Sequence, residues 1–364
     1  MNAPEPSVRV PSREEPPAHA VPDGFRNTIS PPPPRAVAHW TARARRGLAN
    51  IPVRLLLANL LVSLLPSVSF SRVRTAIYRL AGLQIGANTM IWAGDFTQEH
   101  LPLIDKVAAL GFDVIEILVT SAEPRFDSSQ VRERLRDAGL QCSVSASLTP
   151  EHDLSSANKE VRDRGISFLN SVIGTAEAIG AKIVAGPLYA KIGRLQFLSP
   201  AARAQERDHS AAALSEVAKT AEGRGVDLAI EVLNRFESDF LNIAEDAVHF
   251  IEAIGNPAVG IHLDTFHMSI EEKDVGAAIR LAGMHLKHMH MSENDRGTPG
   301  DGQVRWNEVR QALREVDYEG FLVIEAFNPS IPDLAQFVRI WRPVAASQDA
   351  LASNGLRFLR RLMA

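Results

Sequence analysis

The sequence predicts an α/β fold: a closed (β/α)8 barrel of the TIM type, preceded by a disordered and helical N-terminal extension. Three observations carry that prediction. From Gln84 onward, short apolar runs alternate strictly with helix-like segments, eight of each, the pattern of a parallel sheet with crossover helices. Eight repeats favour a closed barrel over an open doubly wound sheet, and the runs are near-continuously apolar, as strands covered on both faces must be. At 364 residues the chain accommodates one barrel of roughly 250 residues with an extension to spare.

Residues 1–39 are rich in proline and charge and include Pro31-Pro32-Pro33-Pro34. Such a segment buries too little apolar surface to offset its ordering entropy, so it is expected to be disordered. It lacks the basic start and apolar core of a secretory signal. Residues 40–83 change character: Arg43, Arg45 and Arg46 precede the apolar LLLANLLVSLLPSV, and Arg72, Arg74 and Arg79 follow it. That run is shorter than the roughly 20 residues a spanning helix needs, and Pro66 interrupts it. A basic, leucine-rich helical pair suits contact with a membrane surface or a partner. It equally suits a hairpin docked on its own barrel or on a second subunit, and a homo-oligomer (dimer or tetramer) is expected.

The barrel spans 84–364. QIGANTMIW reads as the first strand, and Thr97 to Leu110 as a helix started by a threonine cap and ended by Gly111. DVIEIL, LQCSVSAS and AKIVAGP follow as strands, separated by helices at Ser128–Ala138 and Asn158–Ile179. The helix Pro200–Arg224 leads to DLAIEVL, and the helix Ile243–Ile254 to AVGIHLD. A helix over Ile270–Leu281, the strand MHLKHMH, a helix over Trp306–Val316 and the strand GFLVIEAF complete the series, with a helical tail to Ala364.

Composition narrows the function. With 45% hydrophobic and 23% charged residues the chain is ordinary for a globular protein. A net charge of −4 and a pI near 6.3 supply no basic field for nucleic acid. A single cysteine, Cys142, forms no internal disulfide, so a reducing cytoplasm is the expected compartment, and its apolar neighbours make it core rather than nucleophile. Gly300-Asp301-Gly302 lacks the strand-then-helix setting of a phosphate loop and no GxGxxG is present, so no nucleotide cofactor is expected.

The chemistry concentrates where apolar runs end. Leu228-Ala229-Ile230 stops at Glu231, Ile261-His262-Leu263 at Asp264, Leu286 to Met289 at His290, and Leu322-Val323-Ile324 at Glu325. A buried carboxylate needs compensation by a cation or hydrogen bonds. Four strand ends that each deliver one hard ligand make a Glu/Asp/His/Glu set suited to a divalent metal, with Mn²⁺ favoured and Mg²⁺ or Co²⁺ as alternatives. His288 shares the inward side of His290 by the period of two and reads as packing or support rather than ligand.

Around these residues the stretch from Ile85 to Ala364 resembles the D-tagatose 3-epimerase (D-psicose, or allulose, 3-epimerase) family of xylose-isomerase-like barrels. The resemblance is carried by EVLNRFE, LDTFHMSIEE, HMHMSENDRGTPGDG, IEAF and LSSANKEVRDRG. It implies that Glu231, Asp264, His290 and Glu325 hold the metal, that Glu231 and Glu325 are the acid/base pair, and that Glu237, His267 and Arg296 contact sugar oxygens. The extension before Gln84 is absent from most members. The first strand carries Asn88, Met90 and Trp92 where the best-known members place other aromatic residues. The segment ending in YRLAGLQIGANTMI is also similar to the lead-in of hexapeptide-repeat acyltransferases, but no hexapeptide repeats follow.

Bland alternatives stand beside these roles. Arg296 could pair with Glu293 or Asp295, His267 could be a satisfied core histidine, and Glu237 could cap the next helix. Trp92 and Phe266 are expected as an apolar wall of the sugar site. The resulting expectation is a metal-dependent isomerase inverting C3 of a free ketose of the tagatose, fructose, psicose or ribulose type through an enediolate. Alternatives are an aldose–ketose or hydroxypyruvate-type isomerase, an inosose dehydratase, or a non-catalytic scaffold barrel.

Overall fold

A computed structural model describes residues 84–363; the segments 1–39 and 40–83, and the expectations attached to them, lie outside the described residues. Eight parallel strands close into a barrel in sequence order: β1 (Ile85–Asn88), β2 (Val114–Leu118), β3 (Gln141–Ser145), β4 (Ile183–Gly186), β5 (Asp227–Glu231), β6 (Val259–Asp264), β7 (Leu286–His290) and β8 (Phe321–Ile324). β8 pairs with β1 through Gly86 and Val323, which closes the ring.

The outer layer comprises α1 (Pro102–Leu110), α2 (Ser128–Ala138), α3 (Lys159–Ile179), α4 (Pro200–Arg224) and α5 (Ala244–Ile254), then α6 (Thr265–Glu271), α7 (Val275–Ala282), α8 (Trp306–Glu315), α9 (Pro332–Val338) and α10 (Gln348–Met363). Caps set the boundaries: Asp127, Asn158 and Ser199 accept backbone N–H groups at the starts of α2, α3 and α4. Gly111, Gly139, Gly180, Gly225 and Gly255 end helices in the left-handed conformation. α10 buries Leu351, Leu356 and Leu359 and lies against β1 and β8. Each such side chain contributes ~1.5–3 kcal/mol on burial.

Three elements differ from the sequence reading. β1 ends at Asn88, because its side chain accepts the Met90 N–H and starts a 3-10 turn over Thr89–Ile91. The helix expected over Ile270–Leu281 is two helices: Asp264 caps α6, Glu272 is extended, and Asp274 caps α7. The C-terminal tail is likewise divided into α9 and α10.

Val114, Phe321 and Val323 form a small apolar cluster with Ile183 inside the barrel, apart from the larger core between strands and helices. By the two-residue period, Glu116 and Glu325 follow Val114 and Val323 on the inward side. A register shift between β6 and β7 leaves Lys287 unpaired, so that His262 stands opposite His288, and Asp264 opposite His290. Lys287 turns outward to Asp227 and the Pro257 carbonyl. Among the described residues no helix is long and apolar enough to cross a membrane.

Candidate active site

β5, β6, β7 and the end of β8 bring Glu231, Asp264, His290 and Glu325 together at the C-terminal mouth, where each offers a ligand atom within 4.8 Å of the others. All four are buried. Asp264 divides its oxygens: Oδ1 accepts the Phe266 N–H that starts α6, and Oδ2 faces the cluster. One short helix thereby fixes a carboxylate and places His267, one turn on, beside it.

Arg296 is drawn into this group and not to Glu293 or Asp295. Its Nη1 donates to Asp264 Oδ2 at 2.5 Å, Glu325 Oε2 at 2.8 Å and Ser292 Oγ at 3.1 Å. Its guanidinium lies over the Phe266 ring at 3.9 Å and faces Phe327 at 5.0 Å. The residue adopts φ 61°, a conformation unfavourable for an arginine and held here by these contacts. Glu293 instead accepts from Gly300, Val304 and Trp306, which shapes the loop.

His267 Nδ1 accepts the Asn234 N–H at 3.1 Å, which leaves the proton on Nε2, 3.6 Å from Glu231 Oε1. Burial, and then the charge of Arg296, hold this imidazole well below its ordinary pKa, so it stands neutral. Glu237 accepts from the Asn234 side chain at 2.9 Å, and burial raises its pKa against the pull of Arg296. It does not start α5, whose N-cap is Ile243.

Burial and the neighbouring Glu325 raise the Glu231 carboxyl well above the usual range. Burial also works against ionisation of Glu325, but His290 and Arg296 outweigh it and lower its pKa. The environments of the two glutamates therefore push in opposite directions. His290 is raised well above its ordinary value: burial opposes its charge, but Glu325 and Glu116 win. Its Nδ1 makes no hydrogen bond among the described residues and lies 3.4 Å from Glu325 and 4.0 Å from Asp264. Three carboxylates and an imidazole nitrogen that makes no hydrogen bond among the described residues bring their ligand atoms within 4.8 Å of one another. The donor set fits a divalent cation.

Trp92 lies apart from this cluster. Its indole Nε1 donates to Asp349 on α10 at 2.6 Å and Lys106 of α1 sits over its ring, so the side chain packs against outer helices. The 3-10 turn after Asn88 takes the chain off the strand before Trp92 is reached, and the aromatic rings beside Arg296 are Phe266 and Phe327. Cys142 is buried, as its apolar neighbours suggested, and burial pushes its thiol pKa up.

The sequence reading missed Glu116. This fully buried carboxylate accepts from Asn88 Nδ2 and Ser143 Oγ, each at 2.9 Å, and meets His290 Nε2 at 2.6 Å and His288 Nε2 at 2.8 Å. Burial alone would raise its pKa; the two imidazoles hold it well below the carboxylate range. His262, with both ring nitrogens unpartnered among the described residues, packs edge-on against His290 at 4.1 Å. His262, His288 and His290 also form a compact trio, but His290 Nε2 is engaged by Glu116, which leaves Nδ1 for the carboxylate cluster.

The closed barrel and this cluster at its mouth define the class. A profile of the xylose isomerase-like TIM barrel matches residues 104–362, and the chain belongs to that family. Within it, the chain is 37% identical over 279 residues to an L-ribulose 3-epimerase of Mesorhizobium japonicum, covering 76% of this chain and 93% of that protein. It is 33% identical to a D-psicose 3-epimerase of Enterocloster bolteae, over 78% of this chain and 97% of the other. The crystal structure of D-psicose 3-epimerase with D-tagatose from Clostridium cellulolyticum H10 superposes with a TM-score of 0.72 at 30% identity, covering 77% of this chain and 99% of that one.

Proposed function

We propose that this chain is a divalent-metal-dependent 3-epimerase of free ketoses. One observation supports this most: two buried glutamates, from β5 and from the end of β8, converge with Asp264 and His290 on one point of the mouth. Similarity to ketose 3-epimerases over nearly their whole length places the chain among isomerase-class enzymes.

Inversion at C3 removes the proton next to the C2 carbonyl and returns one from the opposite face, so a carboxylate is needed on each side. Glu231 and Glu325 take these parts, and which one deprotonates depends on the epimer bound. Glu231, Asp264, His290 and Glu325 would hold the metal, Mn²⁺ first and Mg²⁺ or Co²⁺ next, because the donors are mostly oxygen. When bound, the cation stabilises the negative charge of the enediolate. Arg296, rigid between two rings, and His267, with its Nε2–H, orient sugar oxygens; Glu237 acts beside them. Dimer or tetramer assembly and membrane contact by residues 40–83 belong to the same proposal. Sedimentation of the full chain, with and without vesicles, against a chain lacking residues 1–83 decides both.

The deciding experiment incubates the full chain with Mn²⁺ and D-tagatose, D-fructose, D-psicose or a ribulose in D2O. The expected product is the C3 epimer carrying deuterium at C3. An aldose product carrying deuterium at C2, with deuterium at C1 of the recovered ketose, would assign aldose–ketose isomerisation instead.

A further inference from the structure

Glu116 belongs to no part of the mechanism above, yet it is fully buried and contacted on both oxygens. It lies in the middle of β2, on the far side of the barrel from the strand ends that carry the cluster. Both oxygens are occupied: Oε1 by Asn88 Nδ2 and His290 Nε2, Oε2 by Ser143 Oγ and His288 Nε2. A buried charge in a barrel core is costly, and an aliphatic side chain would fill the place of the neighbouring floor residues more cheaply. Its position is explained by what it does to His290.

An imidazole has two nitrogens, and when the ring is neutral only one carries the proton. The short contact to Glu116 requires the proton on Nε2. In the neutral ring that metal ligation requires, Nδ1, which faces Asp264 and Glu325, is then the bare nitrogen with its lone pair directed into the cluster. We propose that Glu116 is a positioning residue that fixes the tautomer and ring orientation of His290, and so sets how tightly the mouth holds its cation. A metal-bound histidine commonly gives its other N–H to a carboxylate or carbonyl, which makes the ligand more basic and holds the ring still. Asn88 and Ser143 hold Glu116 in turn, so β1, β2 and β3 act on the site through β7. This inference rests on reading the four residues as a metal site.

The test measures Mn²⁺ affinity of the full chain by calorimetry, independently of turnover. Glu116→Gln keeps the shape, but its amide has both a donor end and an acceptor end and no longer dictates the tautomer. We expect Mn²⁺ binding to weaken about 10- to 100-fold. Ser143→Ala, which removes one support of Glu116 without touching His290, is expected to weaken it less than threefold. Glu116→Asp, ionised but one methylene short, is expected to fall between wild type and Glu116→Gln. Affinities of wild type and folded Glu116→Gln within twofold of each other overturn the inference and leave the metal site standing. A wild type that takes up no divalent ion overturns both. ¹⁵N NMR of the Mg²⁺-loaded wild type decides the matter even if Glu116→Gln does not fold: a protonated Nε2 and a bare Nδ1 on His290 are expected, and the reverse tautomer overturns the proposal.

Discussion

The two halves of the barrel are built alike and end differently. β5, β6 and β7 finish in Glu231, Asp264 and His290, with Glu325 directly after β8. β1 to β4 finish in Asn88, Leu118, Ser145 and Gly186. Gly186 is an obligate glycine, at φ 134° with the Ala146 carbonyl oxygen 2.1 Å from where a Cβ would stand. One half supplies charge at its strand ends, while the other supplies small or neutral ends, with the buried carboxylate of Glu116 one pleat lower. The difference teaches that the fold positions chemistry without requiring it of every strand, so the halves should respond differently to substitution.

The largest effect belongs to the second half. Glu231→Gln and Glu325→Gln each remove a proposed proton carrier while preserving volume, and each is expected to lower kcat for epimerisation by about 10³-fold or more. Product-resolved chromatography of a ketohexose reaction measures it. A residual rate within tenfold of wild type from either variant would break the division between halves.

How much of this was legible in the sequence follows from the same contrast. A strand end betrays itself when an apolar run halts at a carboxylate or histidine, and Glu231, Asp264, His290 and Glu325 all do so. Glu116 gives no such sign: it sits between Ile115 and Ile117, and only closure of the barrel carries it from β2 across to His290. The break at Glu272 was hidden because apolar spacing runs on through both helices, while the caps at Asp264 and Asp274 override it. Trp92 read as the end of the first strand, but the Asn88 side chain ends β1 before it is reached.

Arg296 sharpens the comparison next, because it is the cation that the second half carries within itself. Arg296→Ala is expected to reduce kcat/KM by about 10²-fold, the scale for loss of one preorganised donor. Arg296→Lys is expected to recover little of this, since an ammonium reproduces neither the stacking on Phe266 and Phe327 nor a planar fork. Recovery to within threefold by lysine would reduce the role of Arg296 to charge alone.

The seam between the halves offers a smaller effect of another kind. Arg194, buried in the loop after β4, donates through Nε to Asp239 in the loop after β5 at 2.5 Å, and also to Glu206 and to Ser155. Arg194→Met strands two carboxylates that keep part of their solvent. The expected cost is about 2 kcal/mol of stability, below that of a fully buried pair. Denaturant titration reads this, and Mn²⁺ affinity should stay within threefold of wild type. Metal binding that fell in proportion to stability would show that the seam, and not the strand ends alone, sets the mouth.

The smallest effect is expected at Trp92, and it separates the two readings of the first half most cleanly. If Trp92 formed a wall of the sugar site, Trp92→Phe would change KM, since the ring would meet substrate. Here its ring packs beside the Lys106–Asp349 ion pair, a partly exposed arrangement that fastens α10 to the segment after β1. Phenylalanine keeps the apolar body and loses only the indole N–H bond to Asp349. That is expected to cost less than about 1 kcal/mol of stability, since a charge at a solvated partner rehydrates easily. KM for the preferred ketose should be unchanged within twofold, whereas Phe266→Ala, which removes the ring beneath Arg296, should raise it severalfold. A KM that moved with Trp92 and not with Phe266 would return the aromatic wall to the first half and reverse the assignment drawn from the structure.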